Sequence, residues 1–296
     1  MAGALAGLIF LAGFGLLVYP SVSDQWNTWR QNRLISDYEE AVSTGMTEGD
    51  FAEEWERARA FNASFTENSI YGDIFGSLQE ETGTGENVSY RQVLDLTGDG
   101  VMGYITIPKI ELKLALYHGT AEEVLQHGVG HLQGTKLPIG GENNHSVLAA
   151  HRGLPGARLF TDIDKLEAGD VFYIKVLDET LAYEVDRVLP MVDKDDAETL
   201  KEALGIQPGE DCVTLFTCTP YGVNSHRLLV RGSRVPYGGE AEEERTPVQE
   251  MVRAVKDYYM LYLLPGLAAA WLGVLVLKPG SRAGKKTGKR ESEGGS

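Results

Sequence analysis

Three side chains with complementary chemistry each lie at one end of a short apolar run. Cys218 and His151 each end such a run, and Arg227 opens one. A thiol needs a basic or cationic neighbour to react near neutral pH, because free cysteine titrates near pH ~8.5. An imidazole favours the thiolate and can protonate a leaving amine, and a guanidinium can stabilise an oxyanion. The three residues are therefore candidate catalytic groups, although a strand cysteine is also commonly a small core residue.

The elements that would position these residues are short strands. From residue 103 the sequence consists of brief apolar runs separated by turns, among them GYITIP, SVLAAH, CVTLFT and RLLVRG. Seven or eight such strands, with few long helical patterns, predict a mainly β domain, either a closed barrel or a sandwich. Short helices are expected near residues 121–126 and 158–166. The rim of a barrel would present residues at strand ends to solvent.

Helical sequence precedes the β domain. Phe51, Trp55 and Ala58 follow the i, i+4, i+7 spacing of a helix face that packs against a protein body. We therefore expect residues 24–100 to contain a helical segment, followed from residue 63 by an exposed linker rich in Gly, Thr, Asn and Glu. The β domain is then expected to occupy residues 101–238.

Two apolar segments flank this body. Residues 1–23 contain no charged side chain and predict either a transmembrane anchor or a cleaved signal. Residues 258–278 predict a second transmembrane helix, preceded by an acidic juxtamembrane linker at 239–257. The basic tail at 279–296 is expected in the cytoplasm, since positive charge favours that side. With two spans, both termini are cytoplasmic and the body is extracellular.

Charge and cysteine content exclude several classes of protein. The formal net charge is -16, which argues against a nucleic-acid-binding protein because phosphate contacts need a basic face. Cys212 lies six residues before Cys218, which is about 20 Å along a strand. Since a disulfide reaches only about 7 Å, no disulfide between the two cysteines is expected. The spacing of the histidines does not match a zinc-binding helix, so no metal and no cofactor is expected.

The motifs around the three candidate residues resemble those of a known family. The segment Thr-Leu-Phe-Thr-Cys at 214–218, with Arg227 nine residues after the cysteine, resembles the TLxTC…R motif of sortases. His151, in Ala-His-Arg-Gly, matches the catalytic histidine segment of that family. The similarity covers residues 103–234 and is strongest to class C, the pilus-building sortases. It implies a closed eight-stranded β-barrel with Cys218 as nucleophile, His151 as general acid and base, and Arg227 as substrate and oxyanion stabiliser.

Class C sortases also carry a lid upstream of the barrel, commonly with an Asp-Pro-aromatic motif. This chain has Asp73-Ile74-Phe75 in the corresponding linker, with Ile in place of Pro. The resemblance implies that Asp73 pairs with Arg227 and that Phe75 covers Cys218. An ordinary turn after Tyr71-Gly72 is the alternative.

The resemblance implies a membrane-anchored transpeptidase on the outer face of a Gram-positive cell. Its partners would be pilin subunits that carry an LPXTG-like sorting signal and an acceptor lysine. Cleavage of this signal between Thr and Gly by the enzyme would give a thioacyl-enzyme. The acceptor lysine would then attack this intermediate and form an isopeptide bond. A cell-wall-anchoring sortase and a cysteine hydrolase of sorting signals remain alternatives. A structural surface protein would need an LPXTG-like pentapeptide before the second span, and residues 234–239 contain none.

Overall fold

The computed structural model describes residues 2–65, 88–239 and 266. Within them the helices are α1 (Ala2–Gly45), α2 (Glu48–Ala63), α3 (Val88–Gln92), α4 (Glu122–Leu125) and α5 (Ala197–Leu204). The strands are β1 (Val101–Ile107), β2 (Leu112–His118), β3 (Val129–His131), β4 (Asn144–Ala149), β5 (Val171–Val176), β6 (Glu179–Asp193), β7 (Asp211–Thr219) and β8 (His226–Val235). Single turns of 3-10 helix occur at Pro108–Ile110 and Ile163–Lys165.

The eight described strands form a closed barrel in the order β1-β2-β3-β4-β7-β8-β6-β5. Strand pairs β2–β3 and β4–β7 are parallel, and the other neighbours are antiparallel. This closure confirms the predicted eight-stranded barrel and excludes the sandwich. Parallel pairing of β4 with β7 brings the carboxyl ends of both strands to the same rim. Strand β8 begins at the same rim, so all three candidate catalytic residues lie at it.

The barrel interior is filled by alternate side chains of each strand, as a half-buried strand requires. In β5, Phe172, Ile174 and Val176 are fully buried, and the residues between them are partly exposed. Burial of one such side chain contributes about 1.5–3 kcal/mol. In β7, Val213 and Leu215 belong to this inner core, whereas Phe216 belongs to a separate cluster on the outer face.

The second half of α1 packs on the barrel. Ile35 and Tyr38 are buried against Val101 and Ala115. The Tyr38 hydroxyl donates to the Met102 carbonyl at 3.2 Å and accepts from the Leu177 amide at 2.7 Å. Val18–Thr246 form one compact unit. In the other unit, Met1–Leu17 with Pro247–Ser296, the described residues are the first part of α1 and Gly266.

The predicted helix face over Phe51, Trp55 and Ala58 is confirmed in α2. Thr47 begins this helix with a capping box in which its side chain and that of Asp50 bond each other's backbone amides. Trp55 and Ala58 are buried, Phe51 packs against the core, and the Trp55 indole donates to Asp178 Oδ1 at 2.9 Å. The helix is therefore fixed on the barrel by apolar burial and by several polar contacts, among them those of Trp55 with Asp178 and of Asn62 with Leu137.

Helix α3 is held on the barrel by Tyr90, whose side chain is buried and hydrogen-bonded. Its hydroxyl lies 2.9 Å from His131 Nδ1 and accepts from the Gly119 amide at 2.9 Å. His131 Nε2 lies 2.9 Å from the Lys136 carbonyl. Tyr90, Val93 and Leu94 are buried, which differs from the exposed linker that the composition predicts, whereas Arg91 and Gln92 are exposed. Apolar burial outweighs the polar composition here.

The N-terminal apolar segment lies in α1, which continues as one helix to Gly45. Among the helices that the structure describes, none combines the length and apolarity needed to cross a bilayer. The second predicted span and the basic tail fall outside the described residues, apart from Gly266. The predicted helix near residues 158–166 is shorter than expected, since it is limited to the 3-10 turn Ile163–Lys165.

Candidate active site

Cys218 and Arg227 are directly opposite each other on the antiparallel strands β7 and β8. Directly opposed residues place their Cβ atoms about 4.5–5.5 Å apart and point their side chains to the same face. The nine-residue spacing seen in the sequence is thus a hairpin, with residues 220–225 as its connection. The candidate nucleophile and the candidate oxyanion stabiliser are brought together by strand register.

His151 reaches the same site from the parallel neighbour of β7. The ladder pairs Ala149 with Phe216, and the Ala150 amide continues it with a 3.2 Å bond to the Phe216 carbonyl. Extending this register by two residues sets His151 level with Cys218, across a strand spacing of about 4.8 Å. The segment directly after β4 and the adjacent strands β7 and β8 therefore carry His151, Cys218 and Arg227 in a row.

The row lies on the outer face of the barrel. Alternation along β7 puts Cys218 on the side of Phe216 and opposite Leu215, which points into the core. Below the row is an apolar group that we call the outer cluster: Leu125, Leu132, Val147, Ala149, Val192, Leu200, Ala203, Leu204, Phe216 and Leu229. Helix α5 supplies three of these residues. An apolar floor of this kind excludes water and strengthens electrostatic interactions above it.

The guanidinium of Arg227 is held by backbone carbonyls. Its Nη1 donates to the carbonyls of Asn224 and His226 at 2.9 and 2.8 Å. Arg227 is only 3% exposed and Cys218 only 5%, although both lie near the end of the hairpin. Bonds within the loop orient the planar fork, which makes it suited to a carbonyl or oxyanion at a fixed position.

Glu122 is a residue of this region that the sequence did not reveal. His151 Nε2 lies 3.3 Å from Glu122 Oε2, and their side chains are 18% and 63% exposed. Glu122 begins α4, in the connection between β2 and β3. The predicted short helix at 121–126 is confirmed, but nothing in its sequence indicates that its first carboxylate faces His151. A contact this exposed is weakened by solvent screening.

Cys212 has a different environment from Cys218, although both thiols are on β7. Its Sγ donates to Glu210 Oε2 at 3.4 Å and lies 3.7 Å from Ser233 Oγ. Burial, together with the Glu210 carboxylate, raises the pKa of the Cys212 thiol to about 11. At neutral pH this thiol is protonated and a poor nucleophile. The predicted lid residues, Asp73 and Phe75, lie outside the described residues.

Comparison with known proteins shows which family the chain is similar to. The family model of the Sortase domain matches residues 105–235. A crystal structure of sortase C1 from Streptococcus agalactiae is 47% identical, with 69% of this chain and 99% of that chain covered and a TM-score of 0.59. A sortase C structure from Streptococcus pneumoniae is 44% identical, with 69% and 97% covered and a TM-score of 0.60. That structure is described as giving insight into catalysis and pilin substrate specificity.

Among curated proteins, Sortase SrtE2 of Streptomyces coelicolor is 33% identical over 159 residues, with 51% of this chain and 62% of that protein covered. The chain thus spans less than two thirds of the length of this relative. The chain belongs to the sortase family of cysteine transpeptidases, and its similarity to the solved sortase C structures assigns it to class C.

Proposed function

We propose that the chain is a membrane-anchored transpeptidase that joins pilin subunits through their sorting signals. The observation that carries the proposal is that Cys218 is paired with Arg227 on β7 and β8, while β4, the parallel neighbour of β7, leads directly to His151. It supplies a nucleophile, a proton-transfer group and an anion stabiliser on one face, above an apolar floor. The pilin specificity described for the Streptococcus pneumoniae enzyme supports the substrate class.

The first half of the reaction cleaves the sorting signal. The Cys218 thiolate attacks the carbonyl carbon of Thr in an LPXTG-like peptide, and Arg227 stabilises the resulting oxyanion. The Thr–Gly bond then breaks as the His151 imidazolium protonates the departing Gly amine. The product is a thioester between Cys218 and the Thr carbonyl, and His151 is left neutral.

The second half joins two pilins. Neutral His151 removes a proton from the attacking lysine amine of the acceptor subunit, which forms an amide with the thioester carbonyl. The C–S bond breaks and Cys218 leaves as the thiolate beside the protonated imidazole, which restores the starting pair. No residue of this chain is consumed, and no metal or cofactor takes part in these steps.

We further propose that Asp73 and Phe75 form a lid over this site. The low exposure of Cys218 and Arg227, both near a hairpin end, supports a cover. The described residues on either side of segment 66–87 are held on the barrel. Asn62 Nδ2 donates to the Leu137 carbonyl at 3.1 Å, and Tyr90 bonds His131 on the other side. Fixed ends restrict the region that the segment can reach.

Membrane anchoring is proposed from the sequence. The apolar residues 258–277 are followed by six basic side chains, the first of them Lys278, which favours a transmembrane helix with a cytoplasmic tail. The catalytic domain would then lie outside the cell, where surface pilins are assembled.

The test combines a sorting-peptide library with a lysine-containing acceptor peptide. Intact-protein mass spectrometry should find the acyl adduct on Cys218, and the product should be an isopeptide between Thr and the acceptor lysine. Cys218→Ala should form no adduct, whereas the control Cys212→Ser should form it normally. A free Thr carboxylate as the sole product in the presence of acceptor would instead assign a hydrolase. An adduct that persists in Cys218→Ala would refute the assigned nucleophile.

A further inference from the structure

Two side-chain hydrogen bonds connect the neighbours of His151 to the neighbours of Cys218. The Thr217 hydroxyl donates to the Ala150 carbonyl at 2.7 Å. On the other side of the pair, Arg152 Nη1 donates to the Thr219 hydroxyl at 3.2 Å. The residues before and after each candidate catalytic group are therefore bonded across the two strands.

Arg152 uses each of its three guanidinium nitrogens on a different partner. Besides the bond to Thr219, its Nε donates to the Thr161 carbonyl at 3.1 Å and its Nη2 pairs with Asp164 Oδ2 at 2.5 Å. Its side chain is only 10% exposed. Thr161 and Asp164 belong to the loop after β4, whereas Thr219 ends β7. The guanidinium of Arg152, which is largely buried, thus forms hydrogen bonds both to the loop that follows His151 and to the strand that carries Cys218. We call this set of bonds the Arg152 tie.

This tie lies where the strand ladder stops. Strand β4 ends at Ala149, and in the described residues the last backbone bond from this segment to β7 is that of Ala150 to Phe216. The His151 carbonyl accepts instead from the Phe160 amide at 3.1 Å, within its own loop. From Ala150 onward, the side chains of Thr217 and Arg152 connect this segment to β7.

Gly153 continues the same loop in a conformation that suits close packing. Its φ is +83°, and a Cβ on it would lie 2.9 Å from Cε2 of Tyr221, in the β7–β8 hairpin. Only a glycine fits this position without strain. The turn after Arg152 therefore packs directly on the connection that follows Cys218 and Thr219.

We propose that Arg152 is a positioning residue for the transpeptidation reaction, which sets the separation of His151 and Cys218 by bonding Thr219. The inference rests on the proposed function of that pair. Thr219 is two residues from Thr217 on the inner face of β7, opposite the face of Cys218. Arg152 therefore acts on the face of β7 opposite to that of Cys218. Unlike Arg227, it does not contact the substrate.

Proton transfer between two side chains is sensitive to their separation, and a displacement of about 1 Å can cost about 10²-fold in rate. Loss of the tie should therefore lower kcat and leave KM nearly unchanged, because the outer cluster and Arg227 stay in place. The pH dependence of Cys218 reactivity should also shift, because the two macroscopic pKa values of a coupled pair depend on the distance between its members.

The experiment compares Arg152→Gln, Arg152→Lys and Thr219→Val with the control Arg158→Gln. Arg158 pairs with Asp162 at 2.7 Å in the same loop and is well exposed. We expect kcat to fall about 10–100-fold in Arg152→Gln and less in Thr219→Val, with KM within about threefold of the parent value. Arg152→Lys should recover only part of the rate, since a single ammonium cannot bond all three partners.

The second readout is the pH profile of Cys218 alkylation by iodoacetamide. It requires no sorting peptide, so a wrong substrate assignment leaves it interpretable. We expect the profile to shift in Arg152→Gln and Thr219→Val and to stay unchanged in Arg158→Gln. If Arg152→Gln does not fold, Thr219→Val decides the question, because it removes one acceptor and keeps the ion pair with Asp164. A parent-like kcat and pH profile in folded Thr219→Val would overturn the proposal.

Discussion

Arg227 lies directly across from Cys218 on the neighbouring strand, and its guanidinium is oriented by two carbonyls of its own hairpin. Register brings the two residues together, and the loop bonds fix the direction in which the guanidinium points. A preorganised cation of this kind stabilises developing negative charge without reorganising during the reaction.

Arg227→Ala should therefore lower kcat/KM for a sorting peptide by about 10²–10³-fold, the usual cost of losing one oxyanion donor. Arg227→Lys should recover only part of this loss, because a point charge cannot reproduce the planar fork. The matched control is Arg231→Lys, four residues further along the same face of β8, where the side chain pairs with Asp186. Steady-state kinetics would check all three variants, and near-parental activity in Arg227→Ala would contradict the assigned role.

His151→Ala should reduce turnover by about 10²–10⁴-fold, which is the usual contribution of a proton-transfer group. The loss should fall on kcat, since the imidazole reacts with the substrate only as bonds form and break. Added imidazole should restore part of the rate in this variant, because the His151 side chain is 18% exposed and the space it leaves is in part accessible from solvent. An unaffected turnover, or a loss confined to KM, would show that His151 does not transfer the proton.

The proposed lid predicts a change in the reactivity of Cys218. An exposed Asp73–Arg227 pair would contribute about 1 kcal/mol or less, and a buried Phe75 ring about 1.5–3 kcal/mol. A closed state favoured by about 2–4 kcal/mol leaves a few per cent or less of the enzyme open, since each 1.4 kcal/mol is tenfold.

Replacing both Asp73 and Phe75 by Ala should accordingly speed alkylation of Cys218 by a small thiol reagent at least about tenfold. The control pair Ser77→Ala and Gln79→Ala, in the same segment, should leave the rate unchanged. Equal rates in the double variant and the parent would assign Asp73-Ile74-Phe75 to an ordinary linker turn.

The buried His131 predicts a pH dependence of stability. Burial lowers the pKa of His131 from 6.5 to about 4. The unfolded chain therefore takes up this proton near pH 6.5 and the folded chain only near pH 4. The stability that neutral His131 provides is complete above pH 6.5 and is lost as the pH falls towards 4. At about 1.4 kcal/mol per pKa unit, the loss at pH 4 is about 3 kcal/mol.

Urea unfolding between pH 4 and 7 would measure this slope. His131→Gln keeps a donor for the Lys136 carbonyl but cannot be protonated, so its unfolding free energy should depend less on pH over this interval. An identical slope in the two proteins would show that other groups cause the acid sensitivity.

Sequence motifs single out the candidate site residues, but they do not predict how these residues are arranged. Cys218, His151 and Arg227 stand out from their motifs, and alternation of apolar residues predicts the strands. The parallel pairing of β4 with β7 has no local signature in the amino-acid sequence, since it depends on how the whole sheet closes. The pattern of apolar runs alone does not distinguish a β-barrel from a β-sandwich.

Glu122 and Arg152 show a second limit of the sequence. Glu122 is 29 residues from His151 and meets it only because α4 lies at the same rim. Arg152 is adjacent to His151 in a quoted motif, yet its partners Thr161, Asp164 and Thr219 are set by loop conformation. Polar contacts between loops depend on tertiary structure, and residue type alone does not predict them.

The parallel contact between β4 and β7 also determines the order in which the molecule can be assembled. Ala149 pairs with Phe216, so this contact joins segments 67 residues apart in the chain. Contacts between distant segments form slowly, because the intervening chain must be ordered first. During synthesis, β4 has no partner on this side until β7 has emerged, and Cys218 emerges with it. Barrel closure and completion of the catalytic row are then a single folding event, so a partly made chain holds the histidine without the thiol.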